Sequence, residues 1–259
     1  MFDSNLNAGW LTASGLPGFP CTILAHYDAR MDHRTRASEL GRRISSLPLA
    51  DTPSVRKVRR EFSRILSPES PQAVLDFARV LLSRQDPILR FVAYELVSKH
   101  KPTFATISSD QIVELGAGLD SWSSVDCFAL YLSGPVWAAG RMSDQAIVEW
   151  ASLRSTKEDR WWRRAALVST VPLSRQGLTT NIPRTLRVCA LLMHDRDDMV
   201  VKALSWALRE LARKHKQAAR SFLEENRQAL APRVLREVEC KLTTGLKSPR
   251  KGRSRRNIR

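Results

Sequence analysis

Glycine is scarce, at 11 in 259 residues, which argues against an all-β chain built on many tight turns. No apolar run approaches the roughly 20 residues of a membrane span, so no membrane partner is expected. The four cysteines, Cys21, Cys127, Cys189 and Cys240, lie far apart. None forms a Cys-x-x-Cys pair or stands at zinc spacing from a histidine. His26, His33, His100, His194 and His215 are scattered too. No metal and no cofactor is therefore expected, and the cysteines read as reduced thiols of a cytoplasmic protein. Residues 1–30 carry Gly9, Gly15, Gly18, Pro17 and Pro20 without a clear period. They also lack the basic start and compact apolar stretch of a signal peptide.

What the chain has in excess is positive charge, +16 in all. Seven of those charges (Lys247, Arg250, Lys251, Arg253, Arg255, Arg256 and Arg259) fall in residues 247–259, which hold no acid; taken from +16 they leave +9 on the rest. A surplus of that size implies a polyanionic partner, most often nucleic acid. A basic ribosome- or membrane-associated protein is the bland alternative. The expected organisation is a disordered N-terminal extension over 1–35, a folded domain over 36–246, and a disordered basic tail over 247–259.

Within the domain the period is helical. Pro53, after Asp51 and Thr52 as candidate caps, opens a helix whose Val55, Val58, Phe62, Ile65 and Leu66 share a face. Pro71 opens the next, and Asp86–Pro87 the one after. Further helices are expected near 109–118, 124–138, 143–153, 159–170, 184–194, 198–213, 216–228 and 231–242. Many helices with short breaks and no strand signal predict an all-α fold of stacked antiparallel helix pairs. The pair spacing of roughly 35–45 residues lies in the range of HEAT repeats. A compact irregular helical bundle is the structural alternative.

Three segments could carry chemistry: Asp120-Ser-Trp-Ser-Ser-Val-Asp126, Asp159-Arg-Trp-Trp-Arg-Arg-Ala-Ala166 and Lys202-Ala-Leu-Ser-Trp-Ala-Leu-Arg-Glu210. Each has a plain structural explanation. Ser123-x-x-Asp126 at a helix start is a capping pattern, with Trp122 as a staple partner. Trp161, Trp162 and Trp206 fit packing, and Arg163 and Arg164 fit a solvated face. Against these explanations stands the count of seven tryptophans, several beside basic residues. Aromatics interleaved with arginines suit a nucleic-acid surface.

In order and internal spacing, Trp122-x-x-x-Asp126, Trp161-x-x-Arg164-Ala-Ala and Lys202-Ala-x-x-Trp206-x-Leu-Arg209-Glu210 resemble the signature regions of the HEAT-like DNA alkylation-repair glycosylases. Ala50-Asp-Thr-Pro53-x-x-Arg56 resembles an earlier region of that family, without its glycine. The resemblance covers roughly residues 36 to 245. It implies a solenoid of HEAT-like repeats around a concave basic groove, acting as a monomer on double-stranded DNA that contains alkylated bases, with no obligate protein partner. It implies Asp126 as the catalytic carboxylate, Trp122 and Trp206 as the aromatic pair at the lesion, and Arg164 as an arginine holding the DNA backbone, with Trp161 and Arg163 beside it on DNA. One departure stands out: Leu40 occupies the place of an early tyrosine of the family. The implied reaction is hydrolysis of the glycosidic bond of cationic N3- or N7-alkylated purines, with the lesion trapped against the groove. A non-catalytic HEAT-like protein binding branched or damaged DNA is the second reading, and a helical scaffold for protein partners the third.

Overall fold

The computed structural model describes residues 32–248, and among these the fold is all-α, without a strand. The chain runs through α1 (His33–Ser45), α2 (Thr52–Leu66), α3 (Pro71–Leu82), α4 (Pro87–Lys99), α5 (Lys101–Thr106), α6 (Ser109–Leu115) and α7 (Trp122–Phe128). A π-helical stretch, Ala129–Ser133, leads into α8 (Gly134–Ala138). It continues through α9 (Asp144–Ser152), α10 (Asp159–Gln176), α11 (Asn181–Leu192), α12 (Asp198–Lys214), α13 (Lys216–Glu225) and α14 (Pro232–Thr244). The expected N-terminal extension and basic tail lie almost wholly outside the described residues.

The start signals act as their chemistry requires. Asp51, Ser70 and Asp86 each cap a helix with proline in its first turn, their side chains accepting the backbone N–H groups of Ser54, Ala73 and Ile88. Helix contacts then run in two rows. In one, α2, α4, α7, α10, α12 and α14 touch in that order; in the other, α1 lies on α3, α3 on α5 and α6, and α9 on α11. Rungs such as α1–α2, α3–α4, α9–α10, α11–α12 and α13–α14 join the rows. Between them one apolar cluster extends from Ala37 to Val238. This is how amphipathic helices that cannot bury their apolar faces alone share a core.

The single helix expected over 124–138 is three pieces. Pro135 has no N–H to give to the carbonyl of Tyr131, so the regular ladder cannot pass, and the backbone widens into the π turn instead. Gly134 seats this irregular stretch against α10: a Cβ there would lie 2.7 Å from the Ala129 carbonyl oxygen and 2.7 Å from the ring of Pro172. Ser133 and Ser169 hydroxyls, 2.7 Å apart, close the same contact. α10 also overruns its expected end at 170. It carries Pro172 inside it and stops only at Gly177, whose φ of +74° suits glycine.

Candidate active site

Helices α7, α10, α12 and α14 border a recess of about 430 Å³. α7 supplies its acid. Ser121 is the true cap of α7, its hydroxyl accepting the N–H of Ser124. Asp126 therefore caps nothing, and the capping explanation of Ser123-x-x-Asp126 fails. Its carboxylate is gripped from α10: Arg164 Nε donates to Oδ1 at 2.9 Å and Nη2 to Oδ2 at 3.0 Å. Arg164 also donates from Nη1 to the Met199 carbonyl at 2.6 Å, and it is only 5% exposed. The guanidinium thus orients the carboxylate, bidentate and nearly dry.

Burial raises the pKa of Asp126 above the usual carboxylate value, and the Arg164 fork opposes that rise by favouring the charged form. Trp122, one turn before Asp126, is 57% exposed. A staple partner would be packed away, so that explanation fails too. Across the recess, Met199, Lys202, Trp206 and Arg209 form one stripe of α12, at steps of three and four residues. Lys202 pairs with Asp198 at 2.6 Å, and Arg233 of α14 reaches the same carboxylate at 3.7 Å. Lys247 completes the lining. The result is one half-buried carboxylate, two aromatic faces and several cations around an open volume. Among the described residues, no group of three or more His, Cys, Asp or Glu gathers that could hold a metal.

Of the residues singled out from sequence, Asp126, Trp122, Arg164 and Trp206 come together; Trp161 and Arg163 do not join them. Arg163 donates from Nε to Asp195 at 2.8 Å and from Nη1 to the Leu153 carbonyl at 3.1 Å, tying α10 to the loops at its sides. Trp161 is half-buried on the core, with the Arg160 guanidinium 5.7 Å over its ring. Its neighbour Trp162 stacks among Phe128 and Trp150. Leu40 is wholly buried in the core. Sequence reasoning gave no site role to Met199, Lys202, Arg209, Arg233 and Lys247, although Lys202 and Arg209 stand in its third segment and Lys247 in its basic tail. The first three stand in register with Trp206 on one helix, a signal that helical spacing carries. Arg233 and Lys247 lie too far along the chain for any local spacing to reveal.

Residues 50–239 match the family described as DNA alkylation repair enzyme. The chain belongs to this family. No curated protein and no solved structure matches it. As a DNA alkylation repair enzyme it acts on alkylated DNA, and the matched stretch contains eight of the nine recess residues, all but Lys247. Among the described residues, no helix of this repair enzyme is long and apolar enough to cross a membrane.

Proposed function

We propose that the chain is a monofunctional DNA glycosylase that releases cationic N3- or N7-alkylated purines. The observation that carries this reading is the Asp126 carboxylate, locked by Arg164 at the wall of a recess flanked by Trp122 and Trp206.

An alkylated purine of this kind is already a cation, so no acid is needed to activate it. As the C1′–N bond breaks, the base leaves with the bonding electrons and becomes neutral. Positive charge grows on the deoxyribose. Asp126, fixed before the reaction begins, stabilises that charge and orients a water for attack at C1′, whose released proton passes to the carboxylate or to solvent. Tryptophan faces attract the cationic base and the sugar edge. Lys202, Arg233 and Lys247 are the groups with heads available for phosphates; Arg164, fully engaged with Asp126 and Met199, acts by positioning. The base is released by hydrolysis, with no lysine given a Schiff-base role, so strand cutting is not part of the activity. A solenoid of helix pairs with the recess on its basic concave side is the architecture that would present these groups to a duplex, and the two rows of contacts support it.

The test is base release from duplex DNA methylated at N7 of guanine and N3 of adenine, under single-turnover conditions. Free methylated bases and intact abasic strands are expected. Tight binding without release would leave the chain a binder of damaged DNA.

A further inference from the structure

α7 is a partition with a recess on each side. Trp122 and Asp126, one turn apart, face the polar recess; Ser123 and Cys127, also one turn apart, line a second recess of about 260 Å³. The far wall of the second recess is apolar, made by Val55 of α2 and by Ile88 and Phe91 of α4. It is smaller than the roughly 300–1,000 Å³ of pockets for drug-sized ligands, a size suited to one planar ring system. Ala50 and Thr52 stand at its border on exposed backbone just before and at the start of α2.

The aromatic part of this wall is held in place. The Arg56 guanidinium lies 5.5 Å over the Phe91 ring, and the Tyr131 ring meets Phe91 edge-on at 6.2 Å. Arg56 is itself fixed by Glu95 at 2.8 Å and by the Tyr131 hydroxyl at 2.7 Å. Burial pushes the Cys127 thiol up to about 11, so at neutral pH it is an uncharged wall and not a nucleophile. A phosphate would lose its hydration against Val55, Ile88 and Phe91, and the nearby Arg56 charge is already met by Glu95. A nucleobase suits the site: its faces stack on an aromatic ring, and the hydroxyls of Thr52 and Ser123 can meet its polar edge.

We infer that the apolar recess behind α7 receives the base left unpaired opposite the abasic site once the damaged base has gone, while the Asp126 recess holds the abasic sugar. The inference rests on the reading of Asp126 as the excision site. Alkylation at N3 or N7 leaves a purine's pairing edge intact, so the opposite base is freed for this recess only when the damaged base leaves, and the recess holds the product-side duplex.

The probe is a duplex with a stable abasic-site analogue opposite 2-aminopurine, compared with the same duplex fully paired. The full chain should bind the abasic duplex at least about fivefold more tightly, the lower end of what one base stacked on an aromatic face contributes, and should change the 2-aminopurine fluorescence. A50W fills the mouth from exposed backbone, and F91L removes the aromatic face while keeping the wall apolar. Each should abolish most of the preference and of the fluorescence change, with affinity for the paired duplex unaltered. Should A50W fail to fold, F91L decides alone. Preference intact in a variant that melts like the parent overturns the proposal. So does equal loss on both duplexes, which would place the backbone there, or a fluorescence change only when 2-aminopurine replaces the damaged base. Because the probe holds no cleavable base, a chain that binds as expected yet releases nothing fails only as a glycosylase.

Discussion

Two carboxylates of this protein are gripped by arginines, and they differ in what is left over. Glu95 on α4 accepts from Arg56 Nε at 2.8 Å with one oxygen and from Arg59 Nε at 3.1 Å with the other, and it is 2% exposed. Asp126 on α7 is held by Arg164 alone, and its side chain keeps 16% of its surface open to the recess. The chemistry of the two grips is the same. At Glu95 both partners converge and no volume remains, so the group ties α2 to α4. At Asp126 one edge is locked and the other faces the open recess. A buried ion pair by itself says little about function; the unspent edge beside an open volume is what separates a site from a strut.

The contrast is sharpest in stability. Glu95→Ala leaves Arg59 buried and without its carboxylate. Removing one partner of such a pair costs about 3–5 kcal/mol, a fall in Tm of roughly 6–20 °C for a domain of this size. Calorimetry and excision per folded molecule, measured together, check it. The stability loss should far exceed the activity loss, and the reverse would make Glu95 part of the site.

Asp126→Asn should do the opposite. The amide oxygen still accepts one bond from Arg164, so stability falls by about 1–3 kcal/mol. Excision should fall by well over tenfold, more than about 1.4 kcal/mol of barrier, because an amide carries no charge to set against the sugar cation. A loss of excision no larger than the loss of folded protein would reduce Asp126 to a second strut.

The pH dependence refines the same point. On the proposed mechanism Asp126 acts as a carboxylate, and burial has raised its pKa. Excision should therefore weaken as pH falls through that raised value, and recover above it. Arg164 pulls the pKa down, so Arg164→Gln should move the loss to higher pH as well as lowering the plateau. Single-turnover rates across pH, corrected for spontaneous base loss, report both. An acid limb that stays put in the variant would mean that another group titrates.

Much of this was legible in sequence for identifiable reasons. Caps followed by proline fixed the starts of α2, α3 and α4 because those residues satisfy free N–H groups locally. Trp122, Asp126, Arg164 and Trp206 were found because the three motifs that hold them keep the order and internal spacing of the family they resemble. Arg163 was misplaced because adjacent positions on a helix point about 100° apart: Arg164 enters the recess, while Arg163 turns to Asp195; Trp161 packs on the core under Arg160 instead. The π stretch after α7 was missed because the break at Pro135 is accommodated by the tight seat of Gly134 against Pro172, a contact between residues far apart in the chain. The separate α5 went unseen because six residues are too few to show a period.

The smallest expected effect divides Lys247 from the charges that follow it. Sequence alone grouped all seven cations of 247–259 as one tail, yet Lys247 lines the recess with Asp126. Six others, from Arg250 to Arg259, remain for non-specific attraction. Each phosphate contact adds about 0.9 to the steepness of log affinity against log salt. A chain ending at Ser248 should therefore flatten that slope by up to about five units. Its excision at saturating protein should stay within about twofold, since the groups that align the sugar are untouched. Lys247→Ala should shift the slope by about one unit at most and slow saturating excision by a few-fold, because it removes a cation from the wall that holds the nucleotide in register. Salt titrations and single-turnover rates on both variants give the answer. If the shortened chain binds with an unchanged slope and no longer excises, the residues after Ser248 belong to the active structure, and the line between recess and tail does not lie at Lys247.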